Sequence, residues 1–140
     1  MLAIDANVVV RYLTGDHPDQ SARARAVIDA ESVFVATTVL LEVEWVLRSG
    51  YGYPAPLLAA TLAAFAGLPT VSLENPAVVA AALDSMAAGL DFADALHWAA
   101  AGACEAFLTF DRAFTRAANA LDGVPVRAPH RPPAPMKSGR

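Results

Sequence analysis

The chain has 140 residues, 56% of them hydrophobic and 17% charged, a balance that suits one compact domain with a sizeable core. Its formal net charge of −4 argues against a passive nucleic-acid binder, because phosphate contacts normally call for a basic surface. A single cysteine, Cys104, rules out an internal disulfide framework and fits a reducing, cytoplasmic setting. That cysteine lies in the apolar run Ala99 to Cys104, where an inert buried thiol is the expectation. Asp5 interrupts the opening apolar residues, so no secretory signal is expected. The charge-free segment from Ser49 to Leu73 is broken by Pro54, Pro56, Gly67 and Pro69. It leaves an apolar helix of about 12 residues, too short to span a bilayer, and no membrane partner is expected.

Leu2-Ala3-Ile4 reads as a buried first strand ending at Asp5. Asn7 to Leu13 is helical until Gly15 stops it, and Asp16-His17-Pro18 starts the next helix. Ala22, Ala26, Val27 and Ala30 give that helix its apolar stripe. Val33-Phe34-Val35 is a second strand, after which Thr37 or Thr38 is the expected cap of a helix from about Val39 to Ser49. Ala55 to Ala66 forms another helix, and Thr70-Val71-Ser72 a third strand. Asn75-Pro76 opens a helix that ends near Gly89. Asp91-Phe92-Ala93-Asp94 has the acidic character of a helix start, with the helix running to Gly102. Ala106 to Thr109 is a strand, Asp111 caps a short helix from Arg112 to Ala118, and Val124-Pro125-Val126 is a last edge strand. Short apolar strands separated by helices indicate a parallel sheet covered on both faces.

The domain is expected to span residues 1–126, followed by a basic, proline-rich tail over 127–140. Arg127, Arg131, Lys137 and Arg140 belong to that tail, which leaves 6 basic against 14 acidic residues in the body. A body that acidic repels RNA unless bound divalent cations neutralise part of it.

The acids fall at telling places. Ligands of an open parallel α/β sheet bind beyond the carboxyl ends of its strands. Asp5 and Asp111 follow the first and a later strand, and share an edge if those strands are neighbours. Glu42 and Asp94 lie near the starts of helices that begin at the same edge. Glu42 and Glu44 are about 200° apart on a helix, so at most one of them faces a pocket. Gathered carboxylates repel, and hard oxygen ligands of this kind suit Mg²⁺ or Mn²⁺. Each acid also has a local explanation: Asp91, Asp94 and Asp111 as helix caps, Glu42 and Glu44 on a solvated helix face.

These segments resemble the PIN-domain family, specifically the VapC toxins of bacterial toxin–antitoxin pairs. Leu2-Ala3-Ile4-Asp5-Ala6-Asn7 is similar to the first family motif, and Thr38 to Arg48 to the helix that carries the family's glutamate. Asp91-Phe92-Ala93-Asp94-Ala95-Leu96-His97 resembles the third motif and Thr109-Phe110-Asp111-Arg112 the fourth, all in order between about Met1 and Leu121. The resemblance aligns Glu42 rather than Glu44, and makes Asp5, Glu42, Asp94 and Asp111 the metal-binding, catalytic acids. It implies a three-layer α/β/α sandwich around a central parallel sheet and Mg²⁺- or Mn²⁺-dependent cleavage of RNA. It also implies homodimerisation and inhibition by a VapB-type antitoxin.

Around this set, Asp91 is either a fifth pocket acid or only a cap. Asn7 and Thr109 either position water or an acid, or make local turn bonds. Arg112 is a candidate phosphate contact or a plain surface arginine. His97 is expected to be partly buried, and Trp45 and Trp98 to be core or interface residues. The stretch Ala55 to Leu68, with Trp45 and Leu47, is the candidate for dimer or antitoxin contact. Removing Asp5 or Asp94 is expected to raise the stability of the metal-free protein by relieving repulsion. The competing functions are a stand-alone PIN nuclease in RNA processing and an inactive binding module.

Overall fold

The computed structural model describes residues 1–136 and 138. Lys137 and Arg140, two of the tail's basic residues, lie outside the described residues. Strand β1 (Leu2–Ala3) leads through helices α1 (Ala6–Thr14) and α2 (Pro18–Ala30) to β2 (Val33–Val35). Helices α3 (Thr37–Ser49) and α4 (Ala55–Ala66) connect to β3 (Val71–Leu73), and α5 (Pro76–Ala87) and α6 (Phe92–Ala100) to β4 (Phe107–Leu108). Helix α7 (Arg112–Asn119) precedes β5 (Val126–Arg127). Every strand is followed by at least one helix until the last, so every pairing is parallel.

The five strands pair as three plus two. β1, β2 and β3 lie side by side in sequence order, and β4 pairs only with β5. β1 and β4 are therefore not hydrogen-bonded neighbours. Each is two residues long and spends its ladder bonds on one partner: Ile4 N–H donates to the Phe34 carbonyl at 3.1 Å, and Thr109 N–H to that of Arg127 at 3.0 Å. As an edge strand β1 is not buried, contrary to the sequence expectation; Leu2 is 48% exposed. The ladder also takes in Arg127, opposite Leu108, one residue beyond the expected end of the domain. The described residues after Arg127 form neither helix nor strand.

The core is filled from all the helices. Val9, Ile28, Val33, Leu40, Leu47, Leu58, Leu62, Phe65, Val79 and Phe92 are fully buried. Helix α2 buries Ser21, Ala24 and Ile28; of the expected stripe only Val27 packs against the core, half-buried, while Ala22, Ala26 and Ala30 are exposed. Burying Ile28 removes far more apolar area than burying an alanine, so the isoleucine sets the helix rotation. Helix α4 turns Leu58, Ala59, Leu62 and Phe65 into this core, leaving Leu57 half exposed. No helix among the described residues is long and apolar enough to cross a membrane.

Several local signals carried through. Gly15 ends α1 at φ 66°, a left-handed turn open to glycine. The His17 imidazole accepts from the Gln20 N–H at 3.1 Å and caps α2, with Pro18 in its first turn. The start of α3 differs from expectation. Neither threonine caps it; Thr37 is already helical, and its N–H is taken by the Glu74 carboxylate at 2.9 Å from the end of β3. Asn75 then donates to the Thr37 hydroxyl at 3.3 Å. Cys104 is exposed, because the residues after α6 form turns on the surface. His97 is exposed on the outer side of α6.

The β4–α7–β5 unit is anchored by aromatic packing. Trp98 of α6 meets Phe114 edge to face with ring centres 6.2 Å apart, and Phe114 in turn meets Phe107 at 5.8 Å. The Trp98 indole N–H donates to the Val124 carbonyl at 2.8 Å. Gly123 lies flat against this indole, and a Cβ there would press into the ring. Gly123→Ala should therefore destabilise the protein by about 1–3 kcal/mol, the usual cost of overpacking. Gly102→Ala, where a Cβ meets only ordinary contact at 3.5 Å, serves as the comparison. Urea unfolding of the two variants checks this; equal midpoints would contradict it.

Candidate active site

Three of the aspartates do the same local job. Asp5, Asp91 and Asp111 each sit just before a helix in extended backbone and accept a hydrogen bond from an N–H of its first turn. Asp5 Oδ1 accepts from Val8 at 3.1 Å, Asp91 Oδ2 from Asp94 at 3.1 Å, and Asp111 Oδ1 from Phe114 at 2.9 Å. Each bond fixes one carboxylate oxygen and leaves the other with no hydrogen-bond partner among the described residues. Capping and ligand binding are thus compatible: the cap orients the acid and uses only one of its two oxygens. All three acids are exposed, so Asp5 does not owe its place to a buried strand.

Asp94 is the acid under the most strain. It is half-buried in the first turn of α6. Burial, and then the charges of Asp91 and Asp111, push its carboxyl above the ordinary value of 3.8, against a smaller opposing effect of His97. Asp91, Asp94 and Asp111 therefore form one electrostatic group where α6 and α7 begin. Asp5 opens instead onto a groove between α1 and α2, which it lines with Asn7, Arg11 and Arg23. Among the described residues no three His, Cys, Asp or Glu side chains gather closely enough to hold a metal ion. The donor chemistry nevertheless fits a hard divalent cation, since Mg²⁺ takes one or two carboxylates and keeps several waters.

On α3 the two glutamates divide as their angular separation requires. The buried face is Leu40, Val43, Glu44 and Leu47, and Glu42 is exposed on the opposite side. Glu44, only 2% exposed, accepts from Arg48 Nε at 2.9 Å. That bond and its charge, with a smaller influence from Asp91, raise the already high Arg48 pKa. The Glu44–Arg48 pair thus ties the inner side of α3 electrostatically to the start of α6. The sequence carried the signal, an acid and an arginine four residues apart on one helix face, but it did not reveal the burial.

The supporting residues are placed unevenly. The Thr109 hydroxyl oxygen accepts from the Asp111 N–H at 3.0 Å, which leaves its own proton free to donate. Asn7 is exposed beside Asp5. Arg112 is exposed in the first turn of α7, next to Asp111. Trp98 is buried as expected, whereas Trp45 is 57% exposed on the same outward side of α3 as Glu42.

A family model described as PIN domain matches residues 2–120, and the chain belongs to that family. PIN domains are generally nucleases that use divalent metals. No curated protein matches the chain.

The raised Asp94 pKa has a definite sign in stability. The fold favours the protonated acid, so the penalty on the carboxylate is absent below the ordinary value and complete above the raised one. Asp94→Asn should therefore melt higher than wild type in EDTA at neutral pH, with the gap closing as pH falls towards 3.8. Asp5→Ala goes the other way from the expectation based on repulsion alone. It removes the α1 cap and should cost about 1 kcal/mol, which Asp5→Asn retains. Thermal melts of the three variants across pH check both signs; an Asp94→Asn gap that widens in acid would contradict the first.

Proposed function

We propose that this PIN-domain chain is a Mg²⁺- or Mn²⁺-dependent endoribonuclease acting as the toxin of a VapBC-type toxin–antitoxin pair. The observation that carries the reading is the coupled group of Asp91, Asp94 and Asp111. Asp94 is partly out of water where α6 begins, and that burial together with the charges of Asp91 and Asp111 pushes it towards protonation. A structural surface has no use for that repulsion, whereas a cation-binding pocket does. The four motifs that resemble the VapC family support the finer assignment and bring Asp5 and Glu42 into the same set.

In this reading Asp5, Glu42, Asp94 and Asp111 hold the cation, with Asp91 in support. A divalent ion held there would supply positive charge against a phosphate and would lower the pKa of a water bound to it. The chain's own residues provide the rest. The capping bonds of Asp5 and Asp111 hold their carboxylates in fixed directions, so little ordering is left for the moment of binding. The Thr109 hydroxyl has a proton to donate to a phosphate oxygen, and Asn7 stands beside Asp5 to orient a water. The positive ends of α6 and α7 point at the same edge and favour an anionic substrate there. No histidine or cysteine is required as nucleophile or base.

A homodimer and a VapB-type antitoxin belong to this proposal. The exposed apolar side chains of α3 and α4, Trp45 and Leu57, are the contacts it nominates, since Leu58, Leu62 and Phe65 are spent in the chain's own core. The single cysteine is in keeping with a cytoplasmic protein.

Cleavage of defined RNAs in Mg²⁺ or Mn²⁺ tests the activity. Even outer partners of metal ligands lower activity about 10- to 100-fold when removed, so Asp5→Asn and Asp94→Asn should lose at least that much. Equal cleavage by wild type and both variants would sink the mechanism. Growth arrest on expression of the wild type, relieved by Asp94→Asn, tests the toxin role; cleavage without arrest would favour a stand-alone RNA-processing nuclease.

A further inference from the structure

Beside Asp111 the surface opens into a groove of about 550 Å³ that the four-acid site does not use. Thr109 and Phe110 form one side, Arg112, Thr115 and Arg116 of α7 a second, and Arg131 of the segment after β5 a third. No acidic side chain lines it. Arg112 and Arg116 are one turn apart on the face of α7 opposite the buried Phe114 and Ala118. None of the three arginines forms an ion pair among the described residues. Phe110 stands at the rim with 83% of its surface exposed, a large cost for an aromatic ring with nothing to cover it.

The arginines of the other groove near the acids are already engaged. Arg11 bonds Gln20 at 2.9 Å and Asp16 at 3.2 Å, and Arg23 pairs with Asp19 at 3.7 Å. Charge distribution points the same way. Residues 112–140 contain six of the ten basic residues and one acid, Asp122, in a chain whose remainder is strongly acidic.

We propose that this groove binds the single-stranded RNA that flanks the phosphodiester to be cut. Its phosphates lie on Arg112, Arg116 and Arg131, and one unpaired base stacks on Phe110. The inference rests on the nuclease reading above and adds to it the path of the substrate. Guanidinium forks match phosphate oxygens, and an exposed ring stacks any base that is free of a duplex. The Thr109 hydroxyl can add a phosphate contact, whereas the Thr115 hydroxyl donates to the Asp111 carbonyl at 2.8 Å and has no proton left. An arrangement of this kind prefers single strands, because a base inside a duplex cannot reach the ring.

Fluorescence anisotropy of the full chain with a short labelled RNA strand, in EDTA so that nothing is cut, tests the groove. All the substituted side chains are exposed, so folding is not at stake. Phe110→Ala should weaken binding about 5- to 150-fold, the range that base stacking carries. The double variant Arg116→Ala/Arg131→Ala should flatten the dependence of log affinity on log salt by about 1.4, two phosphates' worth for a single strand. Arg25→Ala, an exposed arginine on α2, should change neither. Wild-type affinity and salt slope in both groove variants would overturn the proposal, even if the chain cleaves RNA. Binding that needs Phe110 and the arginines supports the groove even if cleavage is absent, in which case the nuclease reading fails alone.

Discussion

Three carboxylates that terminate loops and cap helices fix the candidate site to the fold. Asp5, Asp91 and Asp111 each give one oxygen to a backbone N–H and keep the other free. Such a bond satisfies a donor that the helix cannot satisfy itself. It also removes the rotational freedom a surface aspartate would otherwise have. Asp91 and Asp111 both act on Asp94 where α6 and α7 begin, whereas Asp5 follows β1 of the other sheet and opens onto the groove between α1 and α2.

The fold works against the charge that the proposed metal-binding role requires of Asp94. Its position in the first turn of α6 brings it under the influence of Asp91 and Asp111 and partly out of water, and all three effects disfavour its charge. On the inner side of α3 the buried Glu44 accepts from Arg48, whose guanidinium lies within reach of the Asp91 charge. Among the described residues the acids do not stand at ligand distance from one another. On the far side of Asp111 the sign of the surface changes, and arginines with no ion pair among the described residues replace acids. An anionic strand is thus attracted beside the pocket and repelled from it unless the pocket is neutralised.

What the sequence revealed was what is local. The caps Asp91 and Asp111, the stop at Gly15 and the bounds of α4 follow from neighbours within one turn, and all were legible. The start of α3 was not, because its first N–H is met by Glu74, a residue 37 positions away. The rotation of α2 is not legible in the apolar pattern, because three alanines and Val27 look apolar together while the larger Ile28 sets the buried face. The exposure of Cys104 is not legible in the sequence, because turns after a helix can carry apolar residues outward. For the site, position at strand ends suggested convergence but assumed that β1 and β4 pair, which they do not. Choosing Glu42 over the buried Glu44 needed the family resemblance; burial alone favours neither as a ligand.

The central claim is that the acids around Asp94 form a site for a divalent cation. Its most direct measurement is the melting temperature of the full chain as Mn²⁺ is titrated in. A ligand that binds only the folded state stabilises it by about 2.7 kcal/mol at one hundred times its dissociation constant. The wild type should therefore gain a saturable rise, and Asp94→Asn should start higher but gain little. A rise of the same size and midpoint in both proteins would contradict the account.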